Sequence, residues 1–212
     1  MNRLTSVLLV LGTTLAAALP LAAQQPAAPA APAAAPTPAA QAAPRAMAPR
    51  ARVSPHDTIS AVIGGRGGPR VTITYGRPYS ARGGVGEARK IWGGLVPWGK
   101  ADRLGADEAT TLTTELPLVI GETTLPAGGY VLYIVPAETG ASKLAFSSHL
   151  GKWGIPVDET KDVARFDLQK SDLENSVDQL TFSIANDQAT GGGVIKIQWE
   201  KTQFALPFTV KK

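Results

Sequence analysis

Apolar and polar residues alternate one by one along much of this chain, from Val71 to the C-terminus. The pattern is clear at residues 71–75, where Val, Ile and Tyr alternate with Thr, and it recurs at residues 180–184 and 195–200. Successive side chains of a β-strand point to opposite faces, so a period of two puts the apolar residues on one face. Each segment therefore predicts a half-buried strand, and the repetition indicates a β-sheet fold.

Three further segments predict strands of other kinds. Residues 130–135 are apolar at every position, which predicts a central strand that is covered on both faces. Residues 118–120 predict a shorter strand. Residues 204–210 predict the last strand, and Pro207 places it at a sheet edge or a bulge, because proline has no N–H to donate to a neighbouring strand.

The turns between these segments are rich in glycine, as is common where strands reverse direction. Only two short stretches, residues 87–91 and 171–175, predict a helical turn. Regularly spaced strands with almost no helix are typical of a β-sandwich. We therefore predict an all-β fold, a single-domain antiparallel β-sandwich of about 8–10 strands.

The N-terminus has the pattern of a secretory signal peptide. Arg3 precedes an apolar run at residues 7–19, and small or apolar residues follow at 20–23. The run is shorter than the roughly 20 apolar residues of a membrane-spanning helix, and Pro20 follows it at once. We predict a cleaved signal peptide at residues 1–23, no transmembrane segment in the mature chain, and an exported protein that is periplasmic or extracellular.

A segment rich in Ala and Pro follows the predicted signal peptide. Of the 28 residues from 24 to 51, 14 are Ala and 7 are Pro. Such a composition cannot bury a core, and its prolines lack backbone donors. We predict a disordered linker at residues 24–52 and a β-sandwich domain at residues 53–212, which is long enough for one hydrophobic core.

Composition excludes several classes of function. The chain has no Cys, so it forms neither a disulfide nor a thiolate nucleophile or ligand. Four of its 21 basic residues precede residue 53, which leaves 17 basic against 17 acidic residues in the predicted domain. A neutral domain lacks the strongly cationic face that nucleic acids require. We predict no nucleic-acid partner.

The two histidines do not predict a metal site. His56 and His149 are far apart in the sequence, and neither has another histidine at metal-ligand spacing. The chain also has no Gly-x-Ser-x-Gly motif, which argues against a serine hydrolase. We predict no metal and no cofactor, and we interpret His56 as a surface residue.

Charge is nevertheless uneven within the predicted domain. Residues 66–103 have eight basic and two acidic side chains, whereas residues 104–212 have nine basic and fourteen acidic ones. One explanation is that the two halves pair across a shared core and surface. The other is that the basic half forms a positive groove for an anionic ligand.

Residues 75–111 have the richest mixture of chemically useful side chains. The candidate ligand contacts are two arginines, a tryptophan and an acidic pair, namely Arg77, Trp98, Arg103, Asp107 and Glu108. Loops on a rigid sheet often bind ligands, and indoles with arginine suit sugars, polyphenols or peptide carboxylates. In the alternative interpretation, Arg103 forms a buried ion pair with Asp107 or Glu108, while Trp92 and Trp98 close the open end of the sandwich.

Four motifs of this chain are similar to those of one bacterial family. They are Tyr-Gly-Arg-Pro at 75–78, Ile-Trp-Gly-Gly-Leu-Val-Pro at 91–97, Arg-Leu-Gly-Ala-Asp-Glu-Ala-Thr at 103–110 and Leu-Pro-Ala-Gly-Gly-Tyr at 125–130. Together they resemble DUF2911, a domain family of unknown function, over essentially all of residues 53–212. The resemblance implies an exported β-rich domain and supplies no activity.

Three functions remain open for the domain. The first is a non-catalytic binding module of the cell envelope, whose partner is an unknown small molecule, glycan or protein. The second is a hydrolase or isomerase in which Asp107 and Glu108, with His149, act as acid and base. The third is a purely structural envelope protein. We expect the binding module, because residues 75–111 combine side chains that suit ligand binding, whereas the absence of a strong motif favours the structural role.

Overall fold

The computed structural model describes residues 54–211, so the predicted signal peptide and linker lie outside the described residues. The described chain is all-β, which confirms the predicted fold class. Within it, no helix is long and apolar enough to cross a membrane. Its ten strands are β1 (His56–Val62), β2 (Arg70–Gly76), β3 (Thr110–Thr114), β4 (Leu118–Ile120), β5 (Thr123–Leu125), β6 (Gly128–Val135), β7 (Lys143–Ser147), β8 (Asp162–Asp167), β9 (Gln169–Asp187) and β10 (Gly192–Val210). Two short 3-10 helices are Arg82–Gly84 and Glu159–Lys161.

Six strands form the first sheet in the order β1-β2-β3-β6-β7-β8, and all neighbours are antiparallel. The predicted strand at residues 130–135 lies in β6, inside this sheet. Its inward side chains belong to the core, and the outward side chains of Val131 and Tyr133 are buried as well. They are covered by the β7–β8 loop (residues 148–158), which contributes His149 and Lys152 to a cavity of about 20 Å³ above them.

Four strands form the second antiparallel sheet in the order β5-β4-β10-β9. β10 has 19 residues, which would extend for about 60 Å if the strand were straight. It instead folds back, since a Cβ atom on Gly192 would lie 2.1 Å from the carbonyl oxygen of Phe208. The reversal is at Glu200, where φ is 52° and the register with β9 shifts. Gln198 Nε2 donates to Gln203 Oε1 across it at 2.8 Å.

Two predictions about secondary structure are corrected by the structure. β10 contains Pro207 but is not an edge strand. The proline is tolerated because it lies between two ladders: pairing with β9 ends at Ala205, and pairing with β4 begins at Thr209. The predicted helical turns are also wrong, because residues 171–175 belong to β9 and residues 87–91 are irregular.

The inner faces of the two sheets form one hydrophobic core. Tyr75 of β2 connects the sheets directly, because its ring packs edge-on against Phe182 of β9 with the ring centroids 4.7 Å apart. The Phe182 N–H also donates to the Tyr75 hydroxyl at 3.0 Å. Tyr75 is 1% exposed, and this burial raises the pKa of its hydroxyl. The hydroxyl therefore stays protonated at neutral pH.

Replacing Tyr75 with Phe tests this connection between the sheets. We expect Tyr75→Phe to lower the free energy of unfolding by about 1–3 kcal/mol, because a buried N–H loses its acceptor. Urea unfolding measures the change. Tyr79→Phe is the matched control, since the Tyr79 hydroxyl bonds to no described residue, and it should change stability by less than about 0.5 kcal/mol. Equal stabilities of Tyr75→Phe and the wild type would contradict the prediction.

Candidate functional site

The loop before β3, residues 103–109, has a strained backbone. Leu104 and Asp107 have φ angles of 51° and 60°, which residues other than glycine rarely adopt. Two hydrogen bonds hold the loop in this shape. The Leu104 N–H donates to the Asp102 carboxylate at 2.9 Å, and the Thr110 hydroxyl donates to the Leu104 carbonyl at 2.8 Å. The loop therefore has a fixed conformation from which its side chains project.

Arg103 holds this loop through main-chain carbonyls. Its Nη1 donates to the Asp107 carbonyl at 2.7 Å and makes a longer contact of 3.5 Å with the Trp153 carbonyl. Since Trp153 belongs to the β7–β8 loop, one guanidinium group joins two loops. The expected alternative, an ion pair of Arg103 with Asp107 or Glu108, is not formed: no described carboxylate lies within ion-pair distance of Arg103.

His56, at the start of β1, meets both members of the acidic pair. Its Nε2 lies 3.1 Å from Asp107 Oδ2 and 3.4 Å from Glu108 Oε2. We call these three residues the histidine cluster. His56 and Glu108 line a surface depression of about 310 Å³ together with Thr74 and Thr111. An imidazole held beside carboxylates can exchange protons with a ligand in such a depression.

The cluster contains His56, and His149 lies elsewhere. His149 is in the β7–β8 loop, where its Nδ1 is 4.0 Å from Asp158 Oδ2. The sequence does not link His56 to Asp107, because the two residues are 51 positions apart. The prediction of a surface residue is also inexact, since the His56 side chain is 22% exposed. Within the part of the chain that the structure describes, no three His, Cys, Asp or Glu side chains are arranged to hold a metal ion.

Arg77 fastens the end of β2 to the other sheet. Its Nε donates to the Leu180 carbonyl at 3.3 Å, and its Nη2 donates to the Thr181 hydroxyl at 3.2 Å. Its Nη1 is also 3.6 Å from the carboxylate of Asp57. With its donors and its charge engaged inside the protein, Arg77 is a structural contact between the sheets.

Trp98 contacts the core and the chain near it. It packs against the core, and a Cβ atom on Gly93 would lie 2.2 Å from its indole nitrogen. Trp92 is 6% exposed and packs edge-on against Phe204 with the ring centroids 5.0 Å apart. The Trp92 indole N–H donates to the Trp199 carbonyl at 3.3 Å. Trp92 is therefore part of the core, and Trp98 is partly buried against it.

A cleft of about 290 Å³ lies beside the loop of Arg103, and we call it the arginine cleft. Three arginines line it, together with aromatic, aliphatic and small residues and one acid. Its lining comprises Ser54, Pro78, Tyr79, Arg82, Gly83, Arg89, Leu95, Val96, Asp102, Arg103, Gly105, Ala106, Ile155 and Trp199. Arg82 and Arg89 are not among the residues singled out from the sequence. The signal that points to them is the basic excess of residues 66–103.

The positive charges of the arginine cleft are not neutralised by ion pairs with described residues. Arg89 is held by carbonyls, since its Nε donates to Ser80 and its Nη2 donates to Tyr79, both at 2.9 Å. Arg82 is exposed and has no hydrogen-bond partner among the described residues. A carbonyl oxygen fixes a guanidinium group without cancelling its charge.

Asp102 is the one acid among the described residues that line the arginine cleft. Burial raises the pKa of its carboxyl group, while the hydrogen bond from the Leu104 N–H and the positive charge of Arg103 act in the opposite direction. Three positive charges face at most one negative charge. The arrangement therefore suits an anionic ligand.

Arginines of the cleft should differ in how much they stabilise the fold. We expect Arg103→Gln to lower the free energy of unfolding by about 1–3 kcal/mol, because it loses the bonds that join two loops. Arg82→Gln should change it by less than about 0.5 kcal/mol, since Arg82 is exposed and unbonded. Urea unfolding of both variants decides the matter, and equal losses would contradict the structural role of Arg103.

Comparison with known proteins supports the resemblance that the motifs indicate. A sequence model of the family described as "Protein of unknown function (DUF2911)" matches residues 54–208. Neither a curated protein nor a solved structure matches the chain. The family match extends from just before β1 to the last residues of β10. The chain therefore belongs to the DUF2911 family.

Proposed function

We propose that this protein is an exported, non-catalytic binding module whose arginine cleft holds a small anionic ligand. The main support is that three arginines line one cleft and none forms an ion pair with a described residue. Bringing like charges together and partly removing them from water costs free energy. A bound anion offsets that cost, so the fold is poised to accept one.

The way in which two of these arginines are held favours tight binding. Arg89 and Arg103 are bonded to carbonyls, so their side chains lose conformational freedom on folding and not when the ligand binds. A guanidinium fork matches the paired oxygens of a carboxylate or phosphate. By contrast, Arg77 and Arg165 are paired with carboxylates of the protein. We therefore expect a carboxylate or phosphate ligand in the arginine cleft.

Export and tethering complete the proposal. The sequence of residues 1–23 supports a signal peptide, and hence a periplasmic or extracellular domain. The Ala- and Pro-rich composition of residues 24–52 supports a linker ahead of the domain. A domain on such a tether can reach small molecules, glycans or protein partners of the envelope.

We expect the mature domain to bind an anion, and we expect this binding to depend on Arg82. Isothermal titration calorimetry against small carboxylates and phosphates at low ionic strength should find a ligand whose affinity falls about tenfold in Arg82→Gln, since one guanidinium–anion contact is lost. Arg66→Gln replaces an exposed arginine outside the cleft and should bind like the wild type. Binding of no anion, or equal weakening in both variants, would overturn the proposal.

The histidine cluster supports a second candidate function, a hydrolase or isomerase. His56 takes the place that the sequence suggests for His149, because its Nε2 lies 3.1 Å from Asp107. A carboxylate that orients an imidazole favours its action as a general base. The imidazole would then accept a proton from water or substrate in the depression that His56 and Glu108 line.

Turnover that depends on His56 is what this second candidate predicts. The wild type would be screened with chromogenic esters, glycosides and phosphate esters, and any activity would be measured again in His56→Gln and His149→Gln. Loss of about a hundredfold or more in His56→Gln alone is expected of a general base. Activity that survives His56→Gln, or no activity at all, rejects the candidate.

A purely structural envelope role is the remaining alternative. It predicts neither anion binding nor turnover, and it requires a protein partner. The titration and the activity screen together separate it from the two functions above.

A further inference from the structure

Exposed large apolar side chains occur at the arginine cleft as well as elsewhere on the domain. In the described chain, they are Val85, Leu95, Leu150, Trp153, Ile155 and Val163. Leu95 and Ile155 line the cleft itself, although they are 42% and 53% exposed. Isolated exposed apolar residues are ordinary, but a group of them beside a polar site is typical of a binding surface.

Two more of these residues lie on segments that form the cleft. Trp153 is two residues before Ile155, and its carbonyl contacts the Arg103 guanidinium. Val85 directly follows the 3-10 helix Arg82–Gly84, which contributes Arg82 to the lining. Apolar groups and cations are thus presented by the same short stretches of chain.

The backbone fixes both apolar residues that line the cleft. The Leu95 N–H donates to the Lys90 carbonyl at 3.0 Å, and a Cβ atom on the preceding Gly94 would lie 2.3 Å from that carbonyl oxygen. Before Ile155, a Cβ atom on Gly154 would lie 3.0 Å from Ala109. Such close backbone approaches leave little room for either turn to move, so Leu95 and Ile155 are held at the cleft.

We infer that the ligand of the arginine cleft is an amphipathic carboxylate, with one anionic group and an apolar chain or ring. The inference rests on the proposed function and adds the class of ligand. The carboxylate pairs with Arg82, Arg89 or Arg103, while the apolar part covers Leu95 and Ile155. A small inorganic anion would leave these two side chains in water, and a neutral apolar molecule would leave the arginines without a counter-charge.

The size of the cleft fits a small molecule. Its volume of about 290 Å³ is just below that of typical small-molecule sites, which start at about 300 Å³, so it suits a small ligand. Trp199 is almost fully buried at 2% exposure and lines the cleft. A bound chain would change the surroundings of this indole, which gives the binding a fluorescence signal.

A series of straight-chain carboxylates tests the inference on the mature domain. Acetate, butanoate, hexanoate and octanoate would be titrated by calorimetry and tryptophan fluorescence, with primary alcohols of the same lengths as uncharged counterparts. We expect the dissociation constant to fall by about fourfold for each added methylene until the cleft is filled. The alcohols should bind at least about tenfold more weakly than the carboxylates.

Variants separate the apolar contribution from the charge. Leu95→Ser and Ile155→Ser should flatten the dependence on chain length while acetate binds as it does to the wild type. Val163→Ser is the matched control, because Val163 is 47% exposed on β8 and is not part of the cleft. It should keep the full dependence on chain length.

The outcomes distinguish this inference from the proposed function. If acetate and octanoate bind equally and Arg82→Gln still loses binding, the anion site is supported. The inference that its ligand is amphipathic is then wrong. The inference is also wrong if Val163→Ser reduces the dependence of affinity on chain length as much as Leu95→Ser does. If no carboxylate binds, or if alcohols bind as tightly, the inference fails. The proposed function fails with it only if phosphates do not bind either.

Discussion

The bond between the Arg103 guanidinium group and the Asp107 carbonyl, at 2.7 Å, is the interaction on which the candidate sites depend. It closes a loop whose backbone has two non-glycine residues in the left-handed region, a conformation that persists only when surrounding contacts enforce it. From this loop, Asp107 and Glu108 reach His56 on one side. Arg103 itself lines the cleft. One side chain thus shapes both the histidine cluster and the arginine cleft.

What distinguishes the arginines of the cleft from the others is the kind of atom that holds them. Arg77 and Arg165 meet carboxylates, so their charges are compensated within the protein and they stabilise the fold. Arg89 and Arg103 are bonded to neutral carbonyls. The fold fixes their positions without pairing them with a described carboxylate, and this difference underlies the proposed anion site.

Five of the ten strands, namely β2, β4, β6, β9 and β10, contain segments that the sequence predicts as strands, and two departures from the predictions have identifiable causes. Residues 130–135 form the buried strand that their unbroken apolar run predicts. Residues 171–175 looked helical in isolation but belong to β9, and Ser171 and Asp172 pair with β10. A long-range ladder here outweighs a weak local preference. Pro207 suggested a sheet edge or a bulge, and it lies between the two ladders, where β10 changes partners. Local patterns identify strands well, but they contain no information on how a strand turns or which neighbour it meets.

By itself, the sequence determined the all-β class, half of the strands and the family, because alternation and motifs are local properties of the chain. It also contained the basic excess of residues 66–103, without indicating which arginines share a site. Only the tertiary structure decided that Arg82, Arg89 and Arg103 line one cleft and that His56 meets Asp107 across 51 residues. Such groupings depend on loop closure and sheet pairing, which bring together residues that no spacing along the chain relates.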